Sequence, residues 1–294
     1  MKKRLLLSIA VLMAVVITAQ AEDYLIYFDN GAVRVSDANK DNLTTLLTDA
    51  GLLTAGTVAF STDGSTPKLT LNGAKLKALN GSYYTTLAIG GGMSLILELV
   101  GENEILYDVN KTWGYPIECG DNTKVTLTGS GSLTCKSVSS PLHIATFLKE
   151  GATLIIDGNA TLISNGYNQG VYGESNAKLI INYGTLRASG AYNGGRGQIE
   201  VRGGIQLGEG VSITQPAGAR LSDDGIWVVN ADDYSFPTST EVVITGGSPS
   251  GIASTTVSAQ RDGTRYNLQG QRVGKEYRGI VIENGHKRIA KIDD

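Results

Sequence analysis

Between residues 68 and 188, five stretches share one pattern: an apolar-x-apolar pair, a turn containing glycine, then apolar-x-small. They read KLTLNGAKLKA from residue 68, LILELVGENEILY from 95, KVTLTGSGSLTC from 124, TLIIDGNATLIS from 153 and KLIINYGTLRA from 178. Alternation with period two predicts strands that bury one face. The turn glycines Gly73, Gly101, Gly129, Gly158 and Gly184 stand 28, 28, 29 and 26 residues apart. A second apolar stretch precedes each following copy: TTLAIGGG, YPIECGDN, HIATFLKEG, QGVYGESN and GQIEVRGG. Each of these runs into a polar, glycine-bearing turn. One period therefore predicts three short strands and three corners.

A unit of this size cannot bury its apolar face alone, whereas stacked units share one continuous core. The pattern predicts an all-β chain built on a right-handed parallel β-helix over 67–245. The inward residues are expected to be Leu69/Leu71, Leu97/Leu99, Val125/Leu127, Leu154/Ile156 and Leu179/Ile181, then Leu76, Ile105, Leu133, Leu162 and Leu186. A further column is Ala78, Tyr107, Cys135, Ser164 and Ala188, which sets Cys135 above Tyr107. Asn122 and Asn176 fall at one corner, where an asparagine ladder is expected. A sandwich of antiparallel hairpins also fits alternation and turns, but the fixed period favours the solenoid. Gly129-Ser130-Gly131 resembles a phosphate loop only in isolation. Such a loop opens a helix, and here another β-like run follows.

The flanks differ. DYLIYFDNGAVRVSD predicts a hairpin turning at Asp29-Asn30-Gly31, and Leu43, Leu46 and Leu47 mark a short helix. A solenoid exposes strand edges at its ends, so 22–66 is expected to be a cap. Residues 203–250 hold weaker copies that would close the other end. Residues 246–255 form a Gly/Ser/Pro linker, and 256–294 a small β module with turns at Gln269-Gly270 and Asn284-Gly285. Residues 1–21 read as a secretory signal peptide: Lys2, Lys3 and Arg4, a short apolar core, then Ala19-Gln20-Ala21 for cleavage. No later stretch reaches the length of a transmembrane helix. Export is the expectation.

Charge sharpens the division. Residues 252–294 hold eight Lys/Arg and five Asp/Glu, a balance of +3, while 22–251 hold 14 and 23, a balance of −9. An acidic body lacks the clustered Lys/Arg that nucleic acid requires. Two cysteines, Cys119 and Cys135, fit either one disulfide of an exported chain or two small core residues. No CxxC or HExxH pattern is present.

The tail YNLQGQRV, then GIVI, then a Lys-rich end, resembles the C-terminal sorting domain of type IX secretion. That resemblance implies passage through a Gram-negative outer membrane, with the secretion machinery as partner. The stretches GTVAFSTDGSTPKLTLNGAKL, LAIGGGMSLILELVGENEI and TKVTLTGSGSLTC resemble the secreted β-helix proteins called carbohydrate-binding domain-containing, over roughly residues 24 to 245. This second resemblance implies an extracellular right-handed β-helix. Some of its members bind polysaccharides or acidic sugars, with calcium on the surface. None of the family's ligand motifs maps onto residues of this chain.

Candidate ligand contacts are aromatics that recur at one corner. Tyr83 and Tyr84, Trp113 and Tyr115, Tyr167, and Tyr192 follow their turn glycines at similar distances. Aromatic faces beside amides and hydroxyls suit sugar rings; the alternative is an aromatic stack that only covers the loops. The expected function is a non-catalytic carbohydrate-binding or adhesive module at the cell surface, and the alternative a structural surface protein. A polysaccharide lyase or hydrolase ranks third. It would draw on Glu118, Asp121, Asp157 and Glu174, which are scattered in sequence. His143 reads as a strand histidine. The pairs Asp223-Asp224 and Asp232-Asp233 read as turn acids with at most weak affinity for calcium.

Overall fold

A computed structural model of the chain describes residues 23–79, 85–110, 113–138, 140, 142–190, 198–237 and 241–247. In the C-terminal part it describes 265–267, 272–273, 279–283 and 286–290. The chain divides into two compact units at Ser250/Gly251. The first is a β-solenoid of about four turns with parallel stacking. The second, so far as described, is a four-stranded antiparallel sheet in which Gly279–Glu283 and His286–Ala290 form a hairpin. The signal-peptide segment and the turns at 269–270 and 284–285 lie outside the described residues. No helix among the described residues is long and apolar enough to cross a membrane.

Each coil carries three strands, as the repeat predicts. Face one consists of Thr85–Ile89, Tyr115–Cys119, Ile144–Leu148, Gln169–Gly173 and Ile199–Val201. Face two consists of Ser94–Val100, Lys124–Gly129, Thr153–Ile156, Lys178–Ile181 and Ile205–Leu207. Face three consists of Glu102–Tyr107, Ser132–Ser137, Thr161–Gly166 and Gly184–Gly190. The predicted inward residues are all buried, and they form one core running through every coil. Strands Asp23–Phe28 and Val33–Ser36 cap face one antiparallel, and Leu53–Ser61 runs antiparallel to Lys68–Lys77. The helix Leu43–Asp49 buries Leu43 and Leu47 in the same core. Parallel stacking ends at Leu207 rather than 245, because Val242–Gly246 turns back antiparallel onto Gly184–Gly190, and Val211–Gln215 pairs antiparallel with that covering strand.

Two expectations about stacking are corrected. Cys135 lies opposite Ile105, and Tyr107 lies opposite Ser137. Leu97 pairs with Leu127, so this coil advances thirty residues, and the turn glycines of consecutive copies do not all stack. Because side chains alternate with period two, the two-residue offset leaves every inward residue inward. The asparagine ladder is absent, since Gly151 occupies the coil between Asn122 and Asn176. At this corner Gly92, Asn122, Gly151, Asn176 and Gly204 all have left-handed φ, from +55° to +104°. Glycine and asparagine tolerate that region best, so backbone geometry selects both residue types. Cys119 and Cys135 are free and buried, on faces one and three of the same coil. Burial pushes both thiols up, Cys135 to about 12.

Candidate functional site

Trp113 and Tyr167 lie where face three turns into face one. Ile144 pairs with Gln169, and its N–H donates to Gly114 O at 3.3 Å. Asn168 N–H donates to His143 O at 2.8 Å. Trp113, Leu142 and Tyr167 therefore hold one position in three successive coils. Trp113 is 43% exposed and Tyr167 37%, with Leu142 half-buried between them. Adjacent strands lie about 4.8 Å apart, which sets the two backbone positions, two coils apart, roughly 10 Å from each other. Both loops hang from one column of face three. Tyr107 Oη donates to Trp113 O at 3.4 Å, and Tyr167 N–H donates to Ser137 Oγ at 3.3 Å. The Tyr107 ring is fully buried, edge-on to His143 at 5.1 Å. Gly114 makes room for it, since a Cβ there would sit 1.9 Å from the ring.

Tyr115 belongs to a different feature. Its ring stacks on Phe147 at 4.4 Å, and Phe147 on Tyr172 at 5.9 Å, along the outer surface of face one. Phe147 is only 6% exposed, covered by its two neighbours. The outward column runs Tyr27, Ala88, Glu118, Phe147, Tyr172, Glu200. Phe147 and Tyr172 escaped the sequence reading, which measured positions from the wrong corner. Aligned instead on the corner that follows, AIGGG, ECGDN, FLKEG, YGESN and EVRGG each begin with the outward residue. Arginines sit over tyrosine faces at both ends: Arg34 is 5.5 Å from the Tyr27 centroid and Arg202 5.3 Å from Tyr172. Where Ala88, Gly90, Gly91 and Gly120 replace bulk, a cavity of about 410 Å³ opens beside Tyr27, Arg34, Glu118, Asp121 and Lys149. Tyr83, Tyr84 and Tyr192 lie outside the described residues.

Glu118, Asp157, Asp223, Asp224 and Asp233 are engaged in structure. Glu118 accepts from Lys149 at 2.8 Å and from Thr85 Oγ1 at 3.0 Å. Burial alone would lower the Lys149 ammonium; Glu118, with Asp121 and Glu174 nearby, outweighs it and leaves that group raised. Asp157 lies at the turn after face two and accepts from Gly158 N–H at 2.8 Å. Asp223 accepts from Tyr234 Oη at 2.6 Å and Arg220 at 3.0 Å, and these two bonds lower its pKa. Asp224 and Asp233 tie down turns through Ser222 and Ser235. Among the described residues, no group of three or more His, Cys, Asp or Glu is placed to hold a metal ion. Compared with protein-family models, curated proteins and solved structures, the chain matches none.

Proposed function

We propose that the chain is an exported, non-catalytic module of a Gram-negative cell surface that binds polysaccharide at the corner between faces three and one. One observation carries this reading: two half-exposed aromatic rings, Trp113 and Tyr167, recur at one register position two coils apart. The backbone positions that carry them are spaced by about the length of a disaccharide unit. Sugar C–H faces stack on such rings, while hydroxyls find backbone and amide partners alongside. The signal-like N-terminus supports export and the YNLQGQRV tail supports delivery to the surface. Exchanging that tail for an unrelated sequence tests delivery. Unchanged surface display would count against its role as an address.

A glycan array, run with calcium and with chelator, tests binding. Trp113→Ala and Tyr167→Ala should each weaken the best ligand by about three- to tenfold, with unchanged circular dichroism. Unaltered binding by both folded variants would sink the sugar reading. The competing reading is a purely structural surface protein. It draws on Phe147, whose burial makes the Tyr115–Phe147–Tyr172 stack packing rather than an open platform. An array on which the wild type binds no glycan would favour it.

A further inference from the structure

The outward column of face one has a gap. From the cap hairpin onward it runs Arg34, Tyr27, Ala88, Glu118, Phe147, and among these only Ala88 is small. Strands about 4.8 Å apart put the backbones of Tyr27 and Glu118 roughly 10 Å from each other, with a methyl group between them. The cavity of about 410 Å³ lies here. The glycines beside it have a packing reason. A Cβ at Gly90 would sit 2.9 Å from Leu25 Cβ, and one at Gly120 2.9 Å from Ile89 O. Strand geometry sets no such limit at Ala88, since Tyr27, Glu118 and Phe147 fill the same column. Four charged side chains line the cavity, two of each sign. Glu118 is committed, one oxygen to Lys149 and the other to Thr85. Arg34 lies over the Tyr27 ring, and neither it nor Asp121 forms an ion pair among the described residues. A guanidinium and a carboxylate thus line one cavity without pairing with each other.

We propose that this cavity binds a small zwitterion, a molecule with one carboxylate and one ammonium group. Its carboxylate pairs with Arg34, whose planar fork suits that group. Its ammonium pairs with Asp121, and its carbon frame lies against Tyr27 and Ala88. Charge selects the class. Lys149 and Glu118 cancel, which leaves one charge of each sign to be met. A plain anion brings its charge toward Asp121 with nothing to offset it, and a plain cation does the same toward Arg34. The volume falls within the range of small-molecule sites. Two sources offer this chemistry, a free α-amino acid and an amino sugar acid. The site is separate from the corner that carries Trp113 and Tyr167, so it does not depend on the glycan reading.

Isothermal titration calorimetry of the purified full chain tests this, with the common L-amino acids and with muramic acid, an amino sugar that carries both charges. At least one of these probes should bind, and its identity names the source. Blocking one charge of that probe, as its N-acetyl or methyl ester form, should weaken binding by about tenfold or more. Arg34→Gln and Asp121→Asn should each do the same. Ala88→Phe fills the gap without touching a charge and should abolish binding, with unchanged circular dichroism. Trp113→Ala should leave binding unaltered. The proposal is overturned if no zwitterion binds, or if the singly charged forms bind as tightly as the parent. It is also overturned if Ala88→Phe binds like the wild type, or if Trp113→Ala rather than Asp121→Asn removes binding.

Discussion

Single buried polar groups show how closely the coils are tied. Asn103 is buried, and its Oδ1 accepts from Ala74 N–H at 2.8 Å. Its Nδ2 donates to Val100 O, Gly101 O and Ser132 O, so one amide joins three coils. Asp29 is the opposite case. It is buried in the cap turn at φ +46°, and among the described residues its carboxylate takes one long bond, from Leu79 N–H at 3.4 Å. Burial raises its pKa above the ordinary 3.8, and the Leu79 bond only partly counters that. The folded state therefore holds this proton more tightly than the unfolded state. Its stabilising contribution is full below the ordinary value and is lost as pH rises through the raised one. Asp29→Asn keeps the shape and tolerates the left-handed backbone. Its urea midpoint should exceed the wild type's at neutral pH, and the two should converge as pH falls below the ordinary carboxylate value. A constant gap across that range would mean that some other interaction governs the site.

At the scale of the element, the corner decides register. Gly131 lies against the coil below, where a Cβ would sit 2.4 Å from Gly101 O. Gly131→Ala forces two backbones apart and should cost about 1–3 kcal/mol in a denaturant titration. A loss within experimental error would show that the corner can relax. The same corner explains what the sequence reveals and what it hides. Alternation told inside from outside along faces two and three, because that pattern survives a slip of two residues. The slip itself was hidden: Gly101 and Gly129 look equivalent, yet Glu102 pairs with Ser132 and Leu99 with Gly129. Trp113 and Tyr167 were legible because each follows its turn at a similar distance. The Tyr115–Phe147–Tyr172 stack was not, since Phe147 and Tyr172 align only on the corner that follows them, and Tyr115 stands three residues before the position that faces Phe147. Cation–aromatic pairs such as Arg34 on Tyr27 depend on a cap hairpin that carries no repeat.

At the scale of the molecule, a parallel stack has two open ends, and each would pair with another chain unless covered. The N-terminal end is closed by the hairpin Asp23–Ser36 and by Leu53–Ser61. At the other end each face has its own cover. Val201 and Ile205 donate to Ile226 O and Gly225 O at 2.9 and 2.8 Å, which covers faces one and two. On face three, Val242–Gly246 lies antiparallel to Gly184–Gly190. That pairing is reinforced by Arg187–Glu241 at 2.7 Å and a Thr185–Thr245 hydroxyl bond at 2.7 Å. The covering strand is antiparallel where the solenoid is parallel, so it stops propagation instead of offering the next coil's template. A chain ended after residue 250 keeps the whole first unit and should stay soluble. A chain ended after residue 240 bares the Gly184–Gly190 edge together with the buried Val242 and Ile244 contacts. It should aggregate and bind thioflavin T, with light scattering as the readout. If the shorter chain is as soluble as the longer, face three is protected by its own short, charged edge and the covering strand serves another purpose.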